Sequence, residues 1–129
     1  MTTDQTIETE IVAKGLTAPR VTPTDIEANI ASEHYFTAYD GIVGVRVAPF
    51  DDGEAMAEAA KLPVQSSLGL LTFCVLVLRN DFTVTGESAC ASPENFDAEI
   101  GRKIARANAV QKVWPLMGYA LKQQLSGAN

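Results

Sequence analysis

The longest apolar run in the chain, Leu68 to Arg79 (LGLLTFCVLVLR), predicts a buried central strand. Periodicity alone also allows a helix over these twelve residues, and the punctuation after them decides. Asn80-Asp81 is a turn signal, and Phe82-Thr83-Val84-Thr85 resumes β character directly behind it. The pattern therefore predicts a hairpin over roughly 68–79 and 82–91, with Gly86 marking a bulge or a close backbone approach.

Upstream, Thr22-Pro23-Thr24-Asp25 opens a short helix, because Thr22 caps, Pro23 suits the first helical position and Asp25 completes a capping box. Ile26 and Ile30 give it an apolar stripe to about Glu33. His34 to Tyr39 turns β-branched and aromatic, and Asp40-Gly41 marks a turn. Ile42 to Ala48 alternates like a strand, with Arg46 pointing away from Val45 and Val47. Asp52 caps a short alanine-rich helix over 53–61 that Pro63 ends. Residues 1–20 show no sustained period and predict a flexible arm before a single domain over 21–129.

Ser92-Pro93 opens the last element, a long helix broken at Pro115 that ends at Ser126-Gly127. At 100° per residue, Phe96, Ile100, Ile104, Ala107, Gln111 and Trp114 share a meridian that predicts the face packed on the hairpin. The fold class is α+β: a small antiparallel sheet with a central hairpin, packed by the C-terminal helix, plus a short N-terminal helix.

Composition narrows the function classes. With 129 residues, 47% of them apolar and 20% charged, the chain suits one globular domain. It has no run of the roughly 18 apolar residues that span a membrane, and its polar N-terminus lacks a secretory pattern. Two cysteines make no disulfide framework and fit a reducing cytoplasm.

Charge changes the picture more. All 16 acidic residues lie at or before Glu99, against five of the ten basic ones, so residues 1–99 carry −11 and residues 100–129 carry +5. The net −6 argues against duplex nucleic acid as a partner. It permits a confined cationic site for a compact anion. Arg102 and Arg106 lie one helical turn apart, where two guanidinium forks suit a phosphate between them. An ordinary solvated face, moderated by Glu99 and Asn95, is the plainer account of the same spacing. Asn95 beside a helix start, Phe82 as a base-stacking aromatic at the hairpin turn, and Arg46 complete the candidate ligand-binding set.

No catalytic constellation is legible. Gly86-Glu87-Ser88-Ala89-Cys90 lacks the second glycine of a nucleophile elbow, and nothing pairs the single histidine, His34, with Ser88 or Cys90. No metal-ligand spacing and no Gly-rich phosphate loop is present, so neither metal nor cofactor is expected.

Several stretches carry a resemblance: Phe82-Thr-Val-Thr-Gly-Glu-Ser-Ala-Cys, Pro93-Glu-Asn-Phe-Asp, Ile100-Gly-Arg-Lys-Ile-Ala-Arg, and Trp114-Pro-Leu with Gly118-Tyr119. In them, Leu76 to Leu125 resembles a family of small tailed-phage proteins named after a gene-49 product, relative to which 43–67 looks like an insertion. The sheet-then-helices layout is also similar to a phage anti-defence protein that neutralises Thoeris immunity by sequestering a cyclic ADP-ribose-type signal. That resemblance implies a non-enzymatic homo-oligomer in the cytoplasm of an infected bacterium, holding a cyclic nucleotide with Arg102, Arg106, Asn95 and Phe82. An acidic protein that binds and inhibits a host enzyme or nucleic-acid-binding protein is the alternative.

Overall fold

Three threonines start helices by the same device in this computed structural model, which describes residues 2–127. Thr2, Thr22 and Thr37 each accept a backbone N–H three residues on, while Gln5, Asp25 and Asp40 reach back to the cap's own N–H. They open α1 (Thr3–Ala13), α2 (Pro23–Ala28) and α3 (Ala38–Val47). Strand β1 (Ile30–Thr37) lies between α2 and α3, and α4 (Gly53–Ala60) follows, capped by Asp52 as expected. A 3-10 turn (Ser66–Leu70) leads into β2 (Leu71–Leu78) and β3 (Thr83–Ala89). A second one (Pro93–Asn95) precedes α5 (Ala98–Leu125).

The sheet is antiparallel in the order β1-β2-β3, with Tyr35 opposite Cys74 and Cys74 opposite Gly86. The expected α+β architecture is therefore present. In β2 every second side chain (Thr72, Cys74, Leu76, Leu78) is buried toward α5, and the other four are half-buried on the opposite face. Ile26 of α2 and Val113 of α5 close the core over Cys74 and Leu76.

α5 meets the sheet through Gly101, Ala105, Ala109 and Val113, a stripe spaced every four residues. Gly86 is the reason for this choice of face. A Cβ there would lie 2.2 Å from the Ala105 carbonyl oxygen and 2.3 Å from the Ala109 nitrogen, so the helix backbone rests directly on the strand. The Gly86 expectation of a close approach holds. The expected packing face does not: Ile100 and Ile104 are 56% and 47% exposed, because bulkier side chains would hold the helix off the strand.

Four other expectations change. Residues 3–13, read as part of a flexible arm, are helical, since the Thr2–Gln5 capping box organises a segment with weak amphipathicity. Ile42–Ala48 is not a strand: residues 42–47 belong to α3, which the Thr37–Asp40 capping box starts, and Ala48 caps its end. The first helix stops at Ala28, and strand pairing begins at Ile30, opposite Leu78. Finally, α5 runs through Pro115 without ending, and Asp97 rather than Ser92 caps it. Its 28 residues span about 42 Å, against about 23 Å for β3, so the helix overhangs the sheet beyond Val113.

Candidate functional site

Arg106 lies where α2, β1 and α5 meet. Its Nη1 and Nη2 donate to the two carboxylate oxygens of Glu27 at 3.1 and 2.6 Å, and its Nε donates to Glu33 Oε2 at 2.6 Å. Tyr35 Oη donates to the same Glu33 oxygen at 3.1 Å. The hydrogen bond from Arg106 holds the Glu33 carboxyl below its ordinary range, against a smaller opposing effect of burial. Burial, followed by the negative neighbours Cys74 and Glu33, pushes the Tyr35 hydroxyl up to about 12. Hydrogen bonding to Glu27 in turn raises Arg106 above the usual guanidinium value. This network clamps three elements together with one cation between two carboxylates.

The clamp engages one arm of the expected phosphate fork. Arg106 is already neutralised within the chain, while Arg102, one turn earlier, is exposed and makes no hydrogen bond or ion pair among the described residues. Arg46 is engaged elsewhere: its Nη1 donates to the carbonyls of Leu62 and Pro63, both at 2.8 Å, tying α3 to the segment after α4. Phe82 is 55% exposed at the hairpin turn, where its N–H is held by Asn80 Oδ1 at 3.0 Å. Asn95 is exposed in the second 3-10 turn. Since β3 runs between Phe82 and Asn95, the two lie at opposite ends of the sheet, about 20 Å apart. The five candidate residues do not converge in one chain.

A cleft between three helices was not expected from the sequence. About 970 Å³ lies between α1, α2 and α5, lined by Asp4, Glu8, Glu27, Lys103, Arg106 and Trp114 among others. The helix α1 that walls it contains no buried residue. Polar pins hold it: Asp4 Oδ2 accepts from Trp114 Nε1 at 3.2 Å and from Gln111 Nε2 at 3.4 Å, and Glu8 forms a two-bond pair with Arg20. Three carboxylates against two cations make a poor seat for a polyanion. The signal that could have revealed the wall of this cleft was Thr2 followed by Gln5.

A projecting lobe is the other distinctive surface. α4 packs on α3, and α3 leans on the ends of β1 and β2. Val45, Phe50 and Leu62 are 71%, 45% and 54% exposed on this lobe. Asp51, Asp52, Glu54 and Glu58 are exposed on the same segment, where Lys61 pairs with Glu58 at 3.3 Å.

The nucleophile candidates stay apart from the histidine. Ser88 pairs with Thr72 on the α5 side of the sheet, whereas His34 pairs with Val75 on the opposite side and contacts Ser32 at 3.1 Å. Among the described residues, no group of three or more His, Cys, Asp or Glu side chains is placed to hold a metal ion, and no helix is long and apolar enough to cross a membrane.

Residues 21–125 match the model of the phage protein (N4 Gp49/phage Sf6 gene 66) family, and the chain belongs to that family. The match includes the stretch 43–67 that carries the lobe. No curated protein matches the chain, and no solved structure does.

Proposed function

From the premise that this is a phage protein, we propose that it is a non-catalytic interaction protein of the infected bacterial cytoplasm, which binds a host protein through the α3–α4 lobe. The observation that carries this reading is the lobe's surface, where three large apolar side chains stand in water among four carboxylates. Apolar groups on a segment where exposed carboxylates outnumber the one exposed lysine, Lys61, fit a partner with an apolar centre and a Lys/Arg rim, as nucleic-acid-binding proteins present. The separation of His34 from Ser88 supports binding without turnover. The test compares the wild-type chain with D51K/D52K/E54K/E58K in capture from host lysate, followed by titration of the purified partner. The charge-reversed chain is expected to bind at least about tenfold more weakly at low salt, while Arg102→Ala is unchanged. Equal affinity of the charge-reversed chain removes the reading.

A second reading keeps the cyclic nucleotide signal, captured without turnover by a homo-oligomer. The observation in its favour is that Arg102 has no ion partner among the described residues and Phe82 is half exposed. Because the candidate residues are dispersed within one chain, this reading requires copies to contribute them jointly. Isothermal titration with cyclic ADP-ribose isomers and cyclic trinucleotides decides it: binding that Arg102→Ala weakens supports capture, and no heat at micromolar concentrations removes it.

A further inference from the structure

α1 is a polar cover that does not fill the groove beneath it. The floor is one face of α5, where Lys103, Arg106, Ala107, Val110, Gln111 and Trp114 recur at spacings of three and four, with Pro23 and Ile26 of α2 alongside. Toward this floor α1 turns Thr3, Asp4, Gln5, Glu8 and Thr9. The two stand far enough apart to leave the cleft of about 970 Å³, in which Ala107 and Gln111 stay exposed. What α1 does supply is a pair of carboxylates one turn apart. Asp4 accepts from Trp114 Nε1 and Gln111 Nε2, and Glu8 accepts from both terminal nitrogens of Arg20. Among the described residues, the side chains of Trp114, Gln111 and Arg20 hydrogen-bond to nothing else. The family match over 21–125 takes in both walls of the groove, α2 and α5, but not α1.

We infer that the α2–α5 groove docks an acidic amphipathic helix of a partner protein, and that α1 holds its place within the chain. Charge selects the sign of the occupant. With α1 lifted away, Arg20, Trp114 and Gln111 lose their carboxylates, and Lys103 stands at the rim, held only by an exposed pair with Glu99. The carboxylates that remain are already in use: Glu27 and Glu33 bind Arg106, and Asp25, near Arg20, caps α2. The vacated groove therefore calls for two acids spaced like Asp4 and Glu8. The open volume selects the rest. A helix with large apolar side chains where α1 has Gln5 and Thr9 fills the cleft over Ala107 and Val110 and keeps both acids on their donors. Displacing α1 is easy, because it buries no residue. The groove is separate from the α3–α4 lobe, and the inference does not rest on the lobe's partner.

Fluorescence anisotropy tests the inference on the full chain, with a labelled peptide of residues 2–14 carrying Thr9→Leu as the probe. The full-length D4A/E8A variant, whose α1 is unpinned, is expected to bind the probe at least about tenfold more tightly than wild type, because α1 no longer competes. Adding Arg20→Ala to that variant, or Asp4→Lys and Glu8→Lys to the peptide, is expected to weaken binding at least about tenfold. Val45→Lys, on the lobe, is expected to leave it unchanged. No anisotropy change up to about 1 mM protein overturns the inference. So does equal binding by wild type and D4A/E8A, or a lysine peptide that binds as well as the acidic one. Unchanged Trp114 emission in D4A/E8A also overturns it, since α1 would then be a fixed part of the fold.

Discussion

Arg106 and Glu27 meet fork to fork, two guanidinium nitrogens on two carboxylate oxygens, and so join a six-residue helix to the first third of a 28-residue one. α2 is too short to persist alone. Its place over the core depends on Ile26, fully buried against the sheet, and on this ion pair at its rim. Glu33 completes the arrangement from β1, so one side chain registers three elements.

Removing Arg106 therefore costs more than removing Glu27. Arg106→Ala is expected to destabilise the fold by about 1–3 kcal/mol, between the values of exposed and fully buried pairs, because two carboxylates lose their cation together. Glu27→Ala should cost less than about 1 kcal/mol, since Glu27 is 55% exposed and Arg106 keeps Glu33. Urea unfolding of both variants checks the order. Equal losses would mean that Glu33 contributes nothing.

Gly86→Ala is expected to be among the most damaging single substitutions. The added methyl meets backbone, not a side chain that can swing away, so α5 must lift from β3 or the strand must buckle. A loss of about 3 kcal/mol or more in thermal unfolding is expected. Gly101→Ala, whose Cβ would lie 3.1 Å from the Thr72 hydroxyl, should cost clearly less.

These two sites show what was legible from sequence. The hairpin could be read because Asn80-Asp81 punctuates an apolar run, and Asp81 does take up the left-handed backbone of a tight turn at φ 71°. The close approach at Gly86 could be read because a glycine inside a strand has few other reasons to be there. The partner stripe was missed because Gly101, Ala105 and Ala109 look neutral to a hydrophobicity pattern that rewards Ile100 and Ile104. Distance, not apolar mass, set the packing face. The α3 error arose differently: Thr37 and Asp40 repeat the Thr22–Asp25 motif, but alternation over 42–48 outweighed the cap. Arg106's carboxylate partners are 73 and 79 residues away in sequence, beyond what any local pattern shows.

Acid should loosen the clamp. Glu33's carboxyl is held below its ordinary range by Arg106, so its stabilisation is present above the unfolded-state value and is lost as the pH falls through the lower folded one. Melting temperature is expected to fall below about pH 4, with a shallower fall in Glu33→Gln. At the alkaline end the sign reverses. Tyr35, pushed up to about 12, contributes stability that is complete below about pH 10 and declines as the pH rises through 12. Absorbance at about 295 nm should show a late-titrating phenol that Tyr35→Phe abolishes; its persistence would assign the shift elsewhere.

Pro115 lies exposed inside α5, where it removes one backbone hydrogen bond and crowds the preceding turn. Pro115→Ala is expected to stabilise the helix by about 1–3 kcal/mol. An unchanged or lower melting temperature would show that the overhang is held by a contact requiring the ring.

Trp114 is the sole tryptophan and reports on α1 alone. Its indole N–H donates to Asp4, and its flank walls the cleft that α1 closes. Since α1 buries no residue, its attachment rests on the Asp4 and Glu8 contacts. An eleven-residue helix without tertiary support is marginal in water even with a capping box. Asp4→Ala with Glu8→Ala should therefore release α1 and melt it together. Trp114 emission is expected to shift to the red and far-UV helicity to drop by about one short helix, while the unfolding free energy of the rest changes by less than about 1 kcal/mol. Emission and helicity both unchanged would mean that apolar contact through Ile7 and Ile11, which border a second small pocket with Trp114, holds the helix instead.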